Sequence, residues 1–246
     1  MSGYSAFSRF YDALTFNAGY AERADYIERM MRELRHDMGL SLDLACGTGS
    51  LTCELAARGA DIYGIDASPD MLSEAMNKAQ DNGLPILFLC QRMQDIDLYG
   101  TIDTCLCTLD SINHLTDLRD VKRTFERVSL FMNPGGVFLF DVNTVYKHRH
   151  VLGDNTFVYD TSDVFCVWQN SLKENNIIQM ELELFERDGG VYRRYTEHIR
   201  ERAYEIGELT DALTAAGFSD IRVYDDMTFA PLLNDSERAV ITARKK

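Results

Sequence analysis

Two features near the start of the chain have the residue types and the spacing of a nucleoside-binding site. The first is the segment Leu42-Asp43-Leu44-Ala45-Cys46-Gly47-Thr48-Gly49, in which an apolar run leads into a GxG turn. Glycine permits a tight turn there and lets a ligand lie against the backbone without a Cβ in the way. The second is Asp66, which ends the next apolar run. A carboxylate at that spacing can accept hydrogen bonds from two vicinal ribose hydroxyls.

The glycine turn differs from the turns that bind dinucleotides and nucleoside triphosphates. The dinucleotide pattern G-x-G-x-x-G requires a third glycine for close packing of helix and strand, and this chain has Thr52 at that position. The phosphate-loop pattern G-x-x-x-x-G-K-[ST] does not occur in the sequence. The turn and Asp66 together favour a nucleoside ligand without a pyrophosphate over an ordinary strand-to-helix turn followed by a solvent-facing aspartate.

Short apolar runs that alternate with helical patterns supply the elements that position this turn. Runs that are almost wholly apolar are typical of parallel strands buried on both faces, so the alternation predicts an α/β sheet covered by helices on both sides. Ligands bind such sheets beyond the carboxyl ends of the strands, where the strand order reverses. The predicted strands span residues 40–45, 61–66, 86–90, 102–108, 137–140, 221–224 and 238–243.

Two further segments lie outside this alternation. An N-terminal segment is predicted to be helical because apolar residues recur at spacings of three and four: Ala24, Ile27, Met31, Leu34 and Met38, after a looser aromatic stretch of Tyr4, Phe7, Phe10, Tyr11, Phe16 and Tyr20. Between residues 155 and 203 the helical period disappears. Three strand-like runs, 164–168, 177–185 and 191–199, are separated by turn residues there and predict an inserted antiparallel sheet with one exposed face.

Length, charge and cysteine content limit the class of protein. A chain of 246 residues suits one α/β domain with an elaboration, and a formal charge of −14 opposes a nucleic-acid partner. The apolar runs are far shorter than the ~20 residues that span a bilayer, and the first residues lack the basic and apolar regions of an export signal. The six cysteines show no CxxC or zinc-like spacing, which indicates buried thiols in a reducing compartment. We expect a cytoplasmic protein without membrane, nucleic-acid or metal partners.

The sequence resembles the class I S-adenosylmethionine-dependent methyltransferases, in their small-molecule branch. The resemblance covers most of the chain and rests on motifs in family order: Asp43-Leu44-Ala45-Cys46-Gly47-Thr48-Gly49, Gly64-Ile65-Asp66-Ala67-Ser68-Pro69-Asp70-Met71-Leu72, Gln94-Asp95 and Asn133-Pro134-Gly135-Gly136. It implies a Rossmann-like, seven-stranded, mostly parallel sheet with its last strand antiparallel. It also implies one domain (1–246) made of an N-terminal helical lid (1–38), a cofactor-binding core (39–150), an inserted sheet over the site (155–203) and a C-terminal part of the core (204–246).

The resemblance also implies a cofactor, S-adenosylmethionine, a product, S-adenosylhomocysteine, and a role for each matching residue. By this resemblance, Tyr11 makes a lid contact, and the backbone of Ala45, Gly47 and Gly49 forms a cradle for the methionine part with Asp43 beneath it. Asp66 binds the ribose, and the adenine contacts are Ala67, Met71, Gln94 and Asp95. Thr108 and Leu109 lie near the sulfonium. Two alternatives stay open: Tyr11 could simply pack the first helix, and Arg23 could meet the cofactor carboxylate, although a solvated arginine is commoner.

Methyl transfer from a sulfonium is an in-line displacement, so the protein mainly aligns the reactants and excludes water. A general base is needed only for an acceptor that arrives protonated, and the candidates after the fourth strand are Asp110, Asn113 and His114. A histidine can take up a proton near neutral pH, while the alternative for His114 is a loop residue that binds backbone. The predicted inserted sheet carries aromatic and basic residues that could shape an acceptor pocket, a dimer face or an ordinary surface. They are Tyr159, Trp168, Tyr192, Arg194, Tyr195, His198 and Arg200.

The sequence thus predicts a methyltransferase acting on a nitrogen or oxygen atom of a small-molecule acceptor. The alternative is a regulatory or scaffold protein that binds S-adenosylmethionine without transferring its methyl group. A nicotinamide-dependent oxidoreductase is disfavoured by Thr52 and by the absence of a Tyr-x-x-x-Lys motif. A homodimer through the inserted sheet is a further hypothesis, and packing is the expected role of Cys105 and Cys107.

Overall fold

Strands and helices alternate along most of the chain in a computed structural model, which describes residues 7–15 and 18–246. Tyr4 and Phe16 of the predicted aromatic stretch lie outside these residues. Among the described residues, no helix is both long enough and apolar enough to cross a membrane. The helices are α1 (Phe7–Leu14), α2 (Tyr20–Glu33), α3 (Ser50–Ala57), α4 (Pro69–Asp81), α5 (Leu118–Phe131) and α6 (Ile206–Ala215); the strands are β1 (Ser41–Leu44), β2 (Ile62–Asp66), β3 (Phe88–Cys90), β4 (Ile102–Cys107), β5 (Met132–Asn143), β6 (Thr156–Asp160), β7 (Val164–Lys173), β8 (Ile177–Asp188), β9 (Val191–Arg202), β10 (Phe218–Asp225) and β11 (Arg238–Lys245).

The larger sheet has seven strands in the order β10-β11-β5-β4-β1-β2-β3. Strand β11 is antiparallel to both neighbours, whereas the pairs from β5 to β3 are parallel. The chain order reverses between β1 and β4, because β2 and β3 extend the sheet on one side and β5 on the other. The crevice beyond the carboxyl ends of β1 and β4 is where open α/β sheets bind ligands. The predicted Rossmann-like sheet is confirmed.

Helices cover both faces of this sheet because alternate side chains of the strands point to opposite faces. On one face, Leu42 and Phe138 pack in a core with residues of α5 and α6. On the other face, Leu106 and Leu139 pack in a second core with residues of α2 and α3. Cys105 and Cys107 are fully buried in the first core, in agreement with a packing role.

The insertion forms a separate four-stranded antiparallel sheet in the order β6-β7-β8-β9. Strands β7, β8 and β9 contain the three predicted runs, but β6 was not predicted. The five residues of β6 are half-buried or exposed and carry a weak apolar signal. The inner face of the sheet packs against α1, with Leu182 and Leu184 in the same cluster as Phe7 and Phe10. The predicted combination of a helical lid and an inserted sheet is therefore present.

Two element boundaries differ from the sequence prediction. Helix α2 ends at Glu33 rather than near Met38, and Arg35, just after its end, has a positive φ of 49° that a helix cannot continue through. Strand β5 begins at Met132, ahead of the predicted turn Pro134-Gly135-Gly136, and its pairing with β4 changes register within this segment. The turn signal thus marks an irregularity inside a paired segment rather than the start of the strand.

Candidate functional site

A cavity of about 380 Å³ lies between the turn after β1, the end of β2, the loop after β4 and helix α1. A smaller adjoining space of about 30 Å³ shares part of its wall and extends along the glycine turn. The predicted site residues that border the cavity are Tyr11, Ala45, Gly47, Asp66, Ala67, Met71, Gln94, Leu109 and His114. Asp43 and Thr108 border the smaller space. Most of the predicted site is thus brought together at the switch point of the sheet.

Asp66 holds the glycine turn from the end of β2. The backbone N–H of Gly47 donates a hydrogen bond to its Oδ2 at 2.9 Å, and the N–H of Ser68 donates to its Oδ1 at 2.8 Å. Burial raises the pKa of Asp66, although these two donors oppose the rise. A carboxylate offers about four acceptor positions, so Asp66 retains acceptor capacity for hydroxyl donors in the cavity.

The two glycines of the turn have different functions. A Cβ built on Gly47, whose φ is +55°, would meet no atom within 4 Å, and Gly47 borders both spaces, so a side chain there would occupy room that a ligand needs. A Cβ on Gly49 would come within 2.8 Å of Ala75, and Gly49 borders neither space. The cradle role that the resemblance implies for Gly49 stays a prediction, and in the structure this glycine allows close packing against α4.

Thr52, which stands in place of a third glycine, is bonded to Asp43. Its hydroxyl donates to Asp43 Oδ2 at 2.5 Å, and both residues are buried. Desolvation raises the pKa of Asp43 to about 6; Asp66 adds to this rise and the Thr52 bond opposes it. Asp43 lies beside the smaller space under the turn, the position in which the resemblance places it.

The 3₁₀ turn Met93–Asp95 directs its last two residues to different sides. Gln94 is buried and borders the cavity, as do Ala67 and Met71. Asp95 is exposed and does not border the cavity; its carboxylate lies 2.7 Å from Nη2 of Arg123 on α5. The adenine contact that the resemblance implies for Asp95 stays a prediction.

A buried aspartate that the sequence analysis missed shapes the loop after β4. Leu109 and Asp110 have positive φ values of 57° and 54°, a region that is unfavourable for residues other than glycine. Asp141 on β5 accepts the N–H of Leu109 at 2.9 Å and the N–H of Asp110 at 2.8 Å. Since Leu109 borders both spaces, Asp141 fixes the wall beside Thr108 and Leu109. The available signal was an acidic residue inside the apolar run 137–142.

Two arginines, one buried and one largely buried, complete the contacts of Asp141. Arg23 on α2 is 6% exposed, and its Nη1 lies 3.1 Å from Asp141 Oδ2, so the expectation of a solvated arginine is wrong. Arg238 on β11 contacts Asp141 and lies 2.5 Å from Asp110 Oδ1. Burial alone would raise the pKa of Asp110, but attraction from Arg238 and other nearby cations lowers it to about 2. Asp110 is therefore an ionised partner of Arg238 and a poor base at neutral pH.

His114 is the candidate base that the fold places at the cavity. It ends the 3₁₀ turn Ser111–His114, and its side chain is 37% exposed. Asn113 is fully buried instead; its amide accepts from Asn143 N–H and donates to the carbonyls of Asn143 and Arg202. Asn113 thus joins the loop to β5 and β9 and is not available to an acceptor.

The inserted sheet presents a different set of residues to the cavity from the one predicted. None of Tyr159, Trp168, Tyr192, Arg194, Tyr195, His198 and Arg200 borders it. On β9 the exposed residues His198 and Arg200 alternate with the buried residues Glu197, Ile199 and Glu201, and Ile199 borders the cavity. The apolar Ile199 between His198 and Arg200 was the signal in the sequence that could have indicated this inner face.

Helix α1 is attached to the core through Asp12, a second contact that the sequence analysis missed. Its carboxylate lies 2.6 Å from Lys78 Nζ and accepts hydrogen bonds from the hydroxyls of Thr48 (2.9 Å), Ser50 (3.0 Å) and Tyr20 (3.2 Å). Burial would raise the pKa of Asp12, but the bond and charge of Lys78, with the hydroxyl bonds of Thr48 and Ser50, lower it below the ordinary value. These contacts hold the helix that carries Tyr11 over the cavity.

We expect Asp12→Ala to loosen this lid. Exposed ion pairs contribute about 1 kcal/mol or less, so the affinity for S-adenosylhomocysteine should fall by about fivefold and the amides of α1 should exchange faster. Isothermal titration calorimetry and hydrogen-exchange mass spectrometry measure the two effects. Asp81→Ala, on the exposed end of α4, is the control. Unchanged exchange across residues 7–15 would show that Asp12 does not hold the lid.

The fold and the site together define a class of protein. A doubly wound sheet carries a glycine turn at its switch point, a carboxylate with free acceptor capacity at the end of the second strand, and a helical lid. The described residues fit an adenosyl ligand, because Gly47 leaves room against the backbone and Asp66 can accept from ribose hydroxyls. This is the architecture of an S-adenosylmethionine-dependent methyltransferase.

Comparison with known proteins identifies the family. A family model described as a methyltransferase domain matches residues 42–136. The putative methyltransferase YqeM of Bacillus subtilis (strain 168) is 34% identical over 98% of this chain and 97% of its own length. The crystal structure of an S-adenosylmethionine-dependent methyltransferase from Clostridium acetobutylicum ATCC 824 is 34% identical, with a TM-score of 0.89 over 98% of both chains. The sugar N-methyltransferase KedS8 from Streptoalloteichus sp ATCC 53650 shares the fold (TM-score 0.78, 21% identity, 96% of this chain and 92% of its own). The chain belongs to the S-adenosylmethionine-dependent methyltransferases.

Proposed function

We propose that this methyltransferase acts on a nitrogen or oxygen atom of a small-molecule acceptor. The observation that carries the proposal is one cavity bordered both by the ribose-type carboxylate of Asp66 and by His114, beneath the lid residue Tyr11. A site of this size under a helix suits a small acceptor, and the charge of −14 opposes a nucleic acid. The name of KedS8, a sugar N-methyltransferase, is in keeping with this class of acceptor.

The bound cofactor supplies an electrophilic methyl carbon on a sulfonium sulfur. The chain's residues then have separate tasks: the backbone at Ala45 and Gly47 holds the methionine part, and Asp66 holds the ribose. Ala67, Met71 and Gln94 contact the adenine. Thr108 and Leu109 form the wall beside the reacting carbon, and Tyr11 covers the site and excludes water. His114 accepts the proton of the acceptor.

Release of S-adenosylhomocysteine in the presence of amines, alcohols and carboxylates tests this function. We expect turnover with at least one acceptor class, and a 10²–10⁴-fold lower kcat in His114→Gln with unchanged affinity for S-adenosylhomocysteine, the range typical of a general base. His198→Gln, an exposed histidine of β9, is the control and should keep full activity. Tight cofactor binding with no acceptor-dependent turnover would instead indicate a silent binding protein.

We also propose that the chain is cytoplasmic and that a second copy pairs with it through the inserted sheet. All six cysteines are free, and four of them are buried, as expected in a reducing compartment. Strands β6 and β9 are the edges of the inserted sheet, and Val158 and Tyr192 on them are exposed. Cell fractionation tests the location, and sedimentation velocity that finds only monomer would contradict the dimer.

A further inference from the structure

We propose that Glu201 of the inserted sheet is a positioning residue that forms a dyad with His114. The Nε2 of His114 lies 3.6 Å from Oε1 of Glu201, an ion-pair distance when the imidazole is charged. The inference rests on the proposed function and narrows it: the reacting nitrogen or oxygen of the acceptor carries a proton when it enters the site. The dyad joins two elements far apart in sequence, the loop after β4 and strand β9.

Glu201 is held in a fixed place beside His114. Its side chain is 5% exposed, and Asn143 Nδ2 donates to its Oε2 at 3.2 Å. The neighbouring residues are fixed to each other as well, because the Asn113 amide donates to the carbonyl of Arg202 at 2.9 Å. Each member of the dyad thus adjoins a residue that bonds the two segments together. A buried, bonded carboxylate can orient an imidazole at little further cost in side-chain entropy.

A metal centre is the main alternative for these side chains. Asp110, His114 and Glu201 each place one possible ligand atom within 4.8 Å of the others. However, Asp110 already pairs with the Arg238 guanidinium at 2.5 Å. A divalent cation would have to displace Arg238 while remaining close to it. The same geometry suits a histidine whose positive charge Glu201 can balance.

Several other charged groups surround the dyad. Asp66 and Asp110 act electrostatically on His114 in addition to Glu201. On the other side, the Nε2 of buried His148 lies 3.6 Å from Oε2 of Glu201, and Lys147 acts electrostatically on both Asp110 and Glu201. Of the acidic neighbours, Asp110 is neutralised by Arg238, so Glu201 is the carboxylate in contact with His114 that has no arginine partner among the described residues.

The dyad accounts for the transfer of charge during the reaction. A lone pair of the acceptor forms a bond to the methyl carbon, while the carbon–sulfur bond breaks and its electron pair stays on sulfur. The proton of the acceptor passes to Nδ1 of His114, whose Nε2–H faces Glu201. One positive charge is therefore lost at sulfur and gained at the imidazole. Glu201 stabilises that imidazolium until the proton leaves to water.

Glu201→Gln tests the dyad because it keeps the shape of the side chain and removes its charge. We expect a kcat about 10- to 100-fold lower, with the KM for S-adenosylmethionine unchanged within about twofold, because the negative charge that stabilises the imidazolium formed by proton transfer is lost. Glu197→Gln, a buried glutamate on the same face of β9, is the matched control and should leave both kcat and KM unchanged.

A double-mutant cycle in unfolding supplies a readout that does not depend on activity. His114→Gln, Glu201→Gln and the double variant should show a coupling of about five- to tenfold in the unfolding equilibrium constant at pH 5.5, an acidic pH that favours a charged pair, and less at pH 8.5. Coupling that is absent at pH 5.5 would overturn the dyad. So would an unchanged kcat in Glu201→Gln, or turnover that needs a divalent cation and stops with EDTA. Absence of turnover in the unmodified protein with every protic acceptor would instead overturn the proposed function.

Discussion

Asp141→Ala should lower the free energy of unfolding by about 3–5 kcal/mol, the cost of breaking a buried ion pair from one side. Asp141 is 1% exposed and accepts hydrogen bonds from the backbone of Leu109 and Asp110. Its removal takes the shared carboxylate from Arg23 and Arg238. Arg23 then keeps a longer contact, 3.8 Å, with the partly exposed Asp226, and Arg238 keeps Asp110. The loop should also lose its positive φ values, so binding of S-adenosylhomocysteine should weaken in any fraction that folds. Urea unfolding followed by circular dichroism measures the loss.

Asp188→Ala is the control for this prediction. Asp188 pairs with Arg193 at 2.6 Å, but the two side chains are 50% and 64% exposed, so removal of this pair should cost at most about 1 kcal/mol. Asp141→Asn keeps the size of the side chain, so its loss of unfolding free energy should lie between those of Asp141→Ala and Asp188→Ala. This variant tests the prediction if Asp141→Ala does not fold. An Asp141→Ala protein as stable as Asp188→Ala would contradict the account of the loop.

Asp66→Ala should weaken the binding of S-adenosylmethionine and S-adenosylhomocysteine by about 2–4 kcal/mol, which is roughly 30- to 1,000-fold in Kd. Two ribose hydroxyls would lose an ionised acceptor, and the N–H of Gly47 would lose the bond that fixes the turn. Isothermal titration calorimetry on the folded variant gives the change directly. Asp61→Ala, an exposed residue just before β2, should bind as the unmodified protein does.

The pH dependence of binding gives a second readout for Asp66. Burial raises its pKa, so the carboxylate is protonated at a higher pH than an ordinary aspartate, and a protonated group accepts fewer hydrogen bonds. Affinity should therefore be full near neutral pH and decline on acidification earlier than an ordinary aspartate would predict. Asp66→Ala should lack this decline. If Asp66→Ala and the unmodified protein bound S-adenosylmethionine equally well at neutral pH, Asp66 would not be the residue that binds the ribose.

The fold could be predicted to a large extent because local patterns carry its main features. Apolar runs such as residues 137–140 have no polar face, as expected of a strand buried on both sides, and Ser68-Pro69 marks the start of α4 through a cap that the structure contains. Strand β6 escaped prediction because it lies at an edge, half exposed, and its residues follow no strict apolar period. The early end of α2 was also missed. Leu34 is buried although it lies outside the helix, so its apolar side chain continued the helical pattern past Glu33.

The cofactor side of the site was more predictable than the acceptor side. Asp43, Gly47 and Asp66 belong to short motifs whose geometry follows from a strand and its next turn. Gly49 and Asp95 do not border the cavity, and their implied cofactor contacts stay predictions, because a motif fixes the backbone path but not which residue of the path reaches the ligand. The inserted residues chosen by type, such as His198, proved to be on the outer face of β9.

The sequence by itself determined the doubly wound sheet, the glycine turn and the class of ligand, because these depend on hydrophobic period and on backbone that glycine leaves open. Only the tertiary structure decided which charges meet. Asp141 pairs with Arg23 from α2 and with Arg238 from β11. Glu201 on strand β9 of the inserted sheet lies beside His114 in the loop after β4. No local pattern encodes these pairs, since burial of a charge is favourable only when a partner from a distant segment arrives with opposite sign.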